Sequence, residues 1–335
     1  FKYVLIFTVN LAVCAGNSLY SPIPGDNSHY VEGESRYIWM PDGDGVPHLV
    51  DLWETDNTDE RELERNGANN RYWLFTRRNP TNAQIITHGD VNSIRNSNYV
   101  GTRPLMVIVH GWNSDGNSAV NPMVRDAYLA IADANVIVVD WRGLANGLYN
   151  TAVRGVPGVG RYLGNFLVWL IANGGGNWNN VHLVGFSLGA HVVGNAGRTA
   201  GRRPVRITGL DPAGPQWGGN GYALNRNDGV YVETIHTDGG ALGIMDPIAN
   251  ADFYPNGGRN PQPGCRINTC SHSRAYHLMA SSIRTQNRFA GRLCANLDQA
   301  RRVQCAGATL HMGNSVLSKR GNGLHGLATG DRWPF

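Results

Sequence analysis

Lysine is almost missing from this 335-residue chain: of 29 Lys plus Arg, only Lys2 and Lys319 are lysine, leaving 27 arginines. An ammonium with a pKa near ~10.4 discharges in strongly alkaline surroundings, whereas a guanidinium keeps its charge. The bias fits an alkaline gut lumen, and drift in a GC-rich coding sequence gives the same bias. Charged residues make up only 16% of the chain, with a net charge of +4. No basic run is interleaved with aromatics, so a nucleic-acid partner is excluded. Beyond residue 15 no apolar run is long enough to span a bilayer. The 43 glycines follow no collagen-like period, there is no internal repeat, and no Asn-x-Ser/Thr sequon has a permitted middle residue. Cysteine is scarce: five in all, none between Cys14 and Cys265.

What is present is an ordinary globular composition, 41% hydrophobic, in a chain long enough for a substantial core. Residues Tyr3 to Ala15 form a short apolar run preceded by Lys2, which reads as a signal peptide over 1–15 with cleavage after Ala15. Residues 16–36 are polar, contain Pro22, Pro24 and Gly25, and read as a leader or propeptide, with Arg36 a candidate tryptic site. The domain proper is expected over 37–335. Four cysteines remain after the signal: Cys265, Cys270, Cys294 and Cys305. An even count in a secreted chain predicts two disulfides. Three connectivities are open; sequential pairing would close two small loops. A zinc site is the weaker alternative, since neither the spacing nor the histidines match a finger.

From Tyr37 onward, β-branched and aromatic runs alternate with helical stretches. The predicted strands are Tyr72–Thr76, Leu105–His110, Val136–Trp141, Val181–Gly185, Val205–Asp211 and Tyr231–His236. The predicted helices are Met123–Ala132, Gly160–Ile171, Leu188–Arg198 and Ser271–Ile283. That alternation predicts an α/β fold with a mostly parallel sheet covered by helices on both faces. Ligand sites in such sheets form at the carboxyl ends of the strands.

The strongest chemical signal sits at one of those ends. Gly185-Phe186-Ser187-Leu188-Gly189 follows an apolar strand and precedes a helical run, the context of a nucleophile elbow. A serine hydroxyl needs a base to take its proton, and the chain order expected here is Ser, Asp, His. Asp211 ends the run Arg206-Ile207-Thr208-Gly209-Leu210, and His272 lies in Cys270-Ser271-His272-Ser273-Arg274. Ser187, Asp211 and His272 are therefore the candidate triad, with Asp140 and Asp238 as alternative acids. His191 reads as a packed core residue, His236 as a loop-orienting one and His277 as a surface or partly buried one. The oxyanion donors are predicted to be the backbone N–H groups of Leu188 and of Trp112, the latter in the turn after Leu105–His110.

These blocks, with His110-Gly111-Trp112, Gly209-Leu210-Asp211-Pro212-Ala213 and Ile235-His236-Thr237-Asp238, resemble the pancreatic-type lipase family of α/β-hydrolases. The resemblance runs from about Tyr72 to Ile283. It implies a secreted serine esterase acting on glycerolipids at a micelle or membrane surface, with no cofactor. Family members that hydrolyse triacylglycerol carry a long lid between two cysteines before the catalytic histidine. Here Cys265 and Cys270 enclose only Arg266, Ile267, Asn268 and Thr269. This resembles the short-lid phospholipase A1 branch and related insect gut enzymes, and implies phospholipid or galactolipid as substrate. A triacylglycerol lipase and a noncatalytic yolk-type lipid-binding protein are the alternatives. The chain ends at Phe335 without the C-terminal β-sandwich of many relatives, so the expectation is a single catalytic domain, a monomer, with no colipase. A calcium loop known in some relatives falls at Ala223–Asp228, where Asn225 replaces a frequent acidic ligand; no metal is expected.

Overall fold

A computed structural model describes residues 19–59, 62–63 and 67–335. The apolar run over 1–15, with Cys14, lies outside the described residues.

Two strands near the amino end, β1 (Tyr37–Pro41) and β2 (Pro47–Asp51), pair as a separate antiparallel hairpin. The remaining strands are β3 (Arg71–Phe75), β4 (Gln84–Ile86), β5 (Leu105–Val109), β6 (Asn135–Asp140), β7 (Val181–Phe186) and β8 (Arg206–Leu210). They continue with β9 (Val232–Ile235), β10 (Ala251–Pro255), β11 (Ala290–Cys294), β12 (Thr309–His311) and β13 (Gly323–Leu327). Among the described residues these build an eleven-stranded sheet in the order β12-β11-β13-β10-β9-β8-β7-β5-β6-β3-β4. The seven strands from β13 to β6 are parallel, and antiparallel strands flank them on both sides. The mostly parallel α/β architecture is therefore as expected.

The central strands are fully buried because both faces are covered, which is why they read as unbroken apolar runs rather than alternating ones. Leu105, Val107 and Val109 pack under α4 (Tyr149–Gly174) and α5 (Leu188–Thr199). Met106 and Ile108 face the other side, under α2 (Val120–Ile131) and α6 (Asn268–Thr285). Each such side chain contributes about 1.5–3 kcal/mol by burial. Shorter helices include α1 (Val91–Arg95), α3 (Arg142–Ala145) and α7 (Leu297–Arg302).

Strand β5 passes to β6 on one side while β7 lies on its other side, so the order reverses between β5 and β7. Such a switch opens a crevice beyond the carboxyl ends of the two strands. The register places Val109 opposite Gly185 and Leu210 opposite Phe186, which brings the ends of β5, β7 and β8 side by side. The four cysteines pair sequentially, Cys265–Cys270 and Cys294–Cys305, and so are not free to form a zinc site. The described part of the amino-terminal segment, 19–36, packs on the domain, with Asn27 and Tyr30 buried.

Candidate active site

Ser187 stands between β7 and α5 with φ 55° and ψ −122°, a strained conformation for a residue bearing a side chain. The two glycines of the pentapeptide make that bend possible. A Cβ on Gly189 would lie 2.5 Å from the His110 carbonyl oxygen, and one on Gly185 would lie 2.6 Å from the Ala190 nitrogen. The backbone is held from behind by a Ser187 N–H bond to the Leu210 carbonyl at 3.0 Å.

Asn113 and Asp211 also take left-handed backbone angles, with φ 45° and 39°. Both follow parallel strands, so strain concentrates at three adjoining strand exits. Asp211 is buried. Its Oδ1 accepts the backbone N–H groups of Thr237 at 2.6 Å and Asp238 at 3.0 Å, and its Oδ2 lies 2.6 Å from His272 Nδ1. A carboxylate can only accept, so His272 donates from Nδ1, and in the neutral ring the lone pair is left on Nε2.

Ser187 and His272 line one cleft, walled by Met40, Pro41, Trp112, Tyr149, Phe186 and Leu242. The Phe186 ring lies against the imidazole, with centroids 4.6 Å apart. No hydrogen bond joins Ser187 Oγ to His272 among the described residues, whose bonded ring nitrogen is the one facing Asp211. The predicted oxyanion turn is beside the serine: a Cβ on Gly111 would be 3.0 Å from Ser187 Cβ. No acceptor among the described residues takes the N–H of Trp112 or of Leu188. The Trp112 indole is tied to the Gly147 carbonyl at 2.9 Å, and the next residue donates its N–H to the Ala145 carbonyl at 2.8 Å.

The sequence profile of the family described as Lipase matches residues 48–316, the greater part of the chain. Among curated proteins, the pancreatic triacylglycerol lipase of Myocastor coypus is 34% identical over 255 residues, covering 68% of this chain and 55% of that protein. Pancreatic lipase-related protein 2 of Homo sapiens is 32% identical, covering 70% of this chain and 56% of its own length. Lipase member H of Oryctolagus cuniculus is 35% identical, covering 73% and 56%. The chain belongs to the lipase family. It spans about half the length of the curated relatives it matches.

Within this lipase-family fold the competing residues have other occupations. His191 places Nε2 on the Ala213 carbonyl at 2.9 Å, takes the Leu224 N–H on Nδ1 at 3.0 Å and stacks on Trp217. Burial pushes its pKa down to about 3, so it is a neutral packing residue. His236 donates from Nδ1 to the Ile244 carbonyl at 2.7 Å and meets Asp252 at 3.0 Å, which fixes the loop after β9. His277 is half-buried, its Nδ1 on the Ser273 carbonyl at 3.0 Å.

Asp140 is taken by Arg142 at 2.7 Å. Burial raises its pKa, but the His110 ring 3.7 Å away and the hydrogen-bonded Arg142 guanidinium outweigh that and hold it far below the carboxylate range. Asp238 lies beside Asp211 rather than on the histidine. Its burial, reinforced by the Asp211 charge, holds its pKa well above the usual range. In the calcium-loop region Asp228 is buried and bound by Arg198 at 2.6 Å, with the same guanidinium on the carbonyls of Gly221 and Ala223. Fixed positive charge already satisfies that carboxylate.

The walls supplied by Met40, Pro41 and Leu242, and the two N–H donors on Asp211, were not identified from sequence. The block Ile235-His236-Thr237-Asp238 carried a signal for the donors, since a strand ending next to the acid must turn there. Nothing local pointed to the hairpin.

Proposed function

We propose that this chain is a serine carboxylic-ester hydrolase that cleaves acyl esters of glycerolipids. The observation that carries the reading is the His272–Asp211 bond in the cleft that also holds Ser187 on its strained turn. Nε2 of His272 takes the Ser187 proton as Oγ adds to the ester carbonyl, once substrate brings the two within about 3 Å. The oxyanion so formed receives the N–H groups of Trp112 and Leu188. The imidazolium then gives its proton to the departing alcohol, leaving an acyl-enzyme. Water, deprotonated by the same nitrogen, returns the free acid and Ser187. Asp211 holds the tautomer and stabilises the imidazolium throughout.

Polar glycerolipids at a micelle or membrane surface, phospholipid or galactolipid, are the substrates we favour. The four residues between Cys265 and Cys270 hardly exceed one helical turn and are already committed: Asn268 and Thr269 are buried at the start of α6. They cannot fold over the cleft as an amphipathic lid. The name of the Myocastor coypus relative favours triacylglycerol as the other reading. Both disulfides suit secretion into an oxidising compartment.

A fluorophosphonate probe tests the chemistry. Wild type should label and Ser187→Ala should not; an unlabelled wild type would leave the noncatalytic lipid-binding alternative. Product analysis over phospholipid, galactolipid and triacylglycerol tests the substrate, and hydrolysis of triacylglycerol alone would reject the polar-lipid reading.

A further inference from the structure

The amino-terminal segment is joined to the candidate triad by an unbroken series of hydrogen bonds. The backbone N–H of Asn27 donates to Asn268 Oδ1 at 2.8 Å, and the Asn268 amide donates to Asp238 Oδ1 at 2.8 Å. The backbone N–H of Asp238 donates to Asp211 Oδ1 at 3.0 Å, and Asp211 Oδ2 takes the His272 Nδ1–H at 2.6 Å. All five residues are buried.

Asn268 acts on the histidine by two routes. It opens α6, and His272 lies four residues later, about one turn along the same helix. Its side chain also grips Asp238, whose backbone holds the acid. The first turn of α6 is fastened again by the Thr269 N–H bond to the Gly25 carbonyl at 3.3 Å, which occupies one of the donors a helix start leaves unpaired. The segment itself is anchored on β1. Asn27 bonds both backbone groups of Trp39 at 2.8 Å, and the Trp39 indole donates to the Ser21 carbonyl at 2.8 Å. Residues 19–47 precede the span that matches the family profile.

We propose that Asn268 is a positioning residue, supported by the strap of residues 19–36, and that the strap must be docked for the site to hold His272 in register. Without the Asn268 amide, the buried Asp238 carboxylate keeps, among the described residues, only the Leu242 N–H at 3.0 Å. It lies beside a second carboxylate, so it must shift or take a proton, and its backbone carries Asp211 with it. A displacement of about 1 Å in a catalytic group costs up to about 10²-fold in rate.

The test uses three variants of the full chain. Asn268→Ala removes the bridge, and Asn268→Asp keeps the acceptor for Asn27 but turns an oxygen toward Asp238. Asn27→Ala removes the strap's two side-chain bonds to Trp39 of β1 without touching Asp238. The readouts are kcat and KM on a soluble monomeric ester, and the low-field proton NMR resonance of the His272 Nδ1–H. The activity readout rests on the esterase reading, whereas the resonance does not. We expect kcat to fall about tenfold or more in both Asn268 variants, less in Asn27→Ala, with KM within about twofold and the resonance shifted or broadened. Wild-type kcat and an unmoved resonance in the variants that fold, even with a lowered Tm, would overturn the proposal. Should Asn268→Ala not fold, the other two decide. An inactive wild type whose resonance still moves in the variants would remove the esterase reading and uphold the brace; with an unmoved resonance the brace falls as well.

Discussion

Asp211 faces His272 with one oxygen, 2.6 Å from Nδ1, and gives the other to the backbone N–H groups of Thr237 and Asp238. In Asp211→Asn the amide oxygen would keep the two backbone donors, leaving NH₂ to face Nδ1. That nitrogen would then have to accept, moving the ring proton to Nε2, where it blocks the base. We expect kcat on a soluble ester to fall about 10³–10⁴-fold with the fold intact. A loss below about tenfold would mean that Asp211 does not set the tautomer.

Gly189→Ala should be among the most damaging small substitutions in the chain. The new methyl would sit 2.5 Å from the His110 carbonyl oxygen and closer still to that of Val109. Both atoms belong to the backbone at the end of β5, so neither can move without shifting the oxyanion turn. Overpacking of this kind costs about 3 kcal/mol. Urea unfolding should show the loss, accompanied by collapse of esterase activity; an unchanged midpoint would contradict the packing described for the elbow.

The elbow was readable because everything that makes it is local. Val181–Phe186 matches the predicted strand to within one residue, since a strand buried on both faces must be apolar throughout. Asp211 and His272 followed from chain order. Helix α4 was half missed: Gly160–Ile171 was predicted, but the helix begins at Tyr149 and runs through Pro157. Its glycines have poor helix propensity, yet a Cβ on Gly164 would lie 2.5 Å from Thr199 Cβ in α5, so tertiary contact dictates them. Strand β10 was hidden by Asp252, a buried carboxylate satisfied by Thr234 on the neighbouring strand β9 and by His236 just beyond its end. The role of Asn27 depends on a residue 241 positions away, and no local pattern encodes that.

The far end of the sheet supplies a pH prediction. Arg206 and Lys319 each bond the buried Glu233 at 2.5 Å, leaving two cations for one carboxylate. Burial, outweighing the attraction of Glu233, pushes the Lys319 pKa down to about 8 from its ordinary 10.5. The sign follows from proton counts: between those values the unfolded chain holds a proton that the folded chain has released. Stability from this group therefore rises with pH across the window, by up to about 1.4 kcal/mol per unit, and is flat below about 8. The Tm of wild type relative to Lys319→Met should climb between pH 8 and 10. A constant difference would show that the lysine titrates normally.

The disulfide-bounded loop before His272 determines how the proposed esterase activity should respond to an interface. Activation at an oil–water boundary requires a cover that leaves the cleft when lipid arrives. Cys265–Cys270 closes a loop whose Asn268 is held by Asn27 and Asp238 and whose Thr269 is held by the Gly25 carbonyl, so no segment there is free to move aside. The rate on a short-chain ester should therefore rise smoothly through its solubility limit as substrate aggregates. A long-lidded lipase assayed in parallel should jump at that point. Opening the loop with Cys265→Ser and Cys270→Ser should lower stability by about 2–3 kcal/mol without creating a jump. A discontinuity in the wild type would require a cover built from another part of the chain, and the β1–β2 hairpin, whose Met40 and Pro41 wall the cleft, would be the segment to cross-link next.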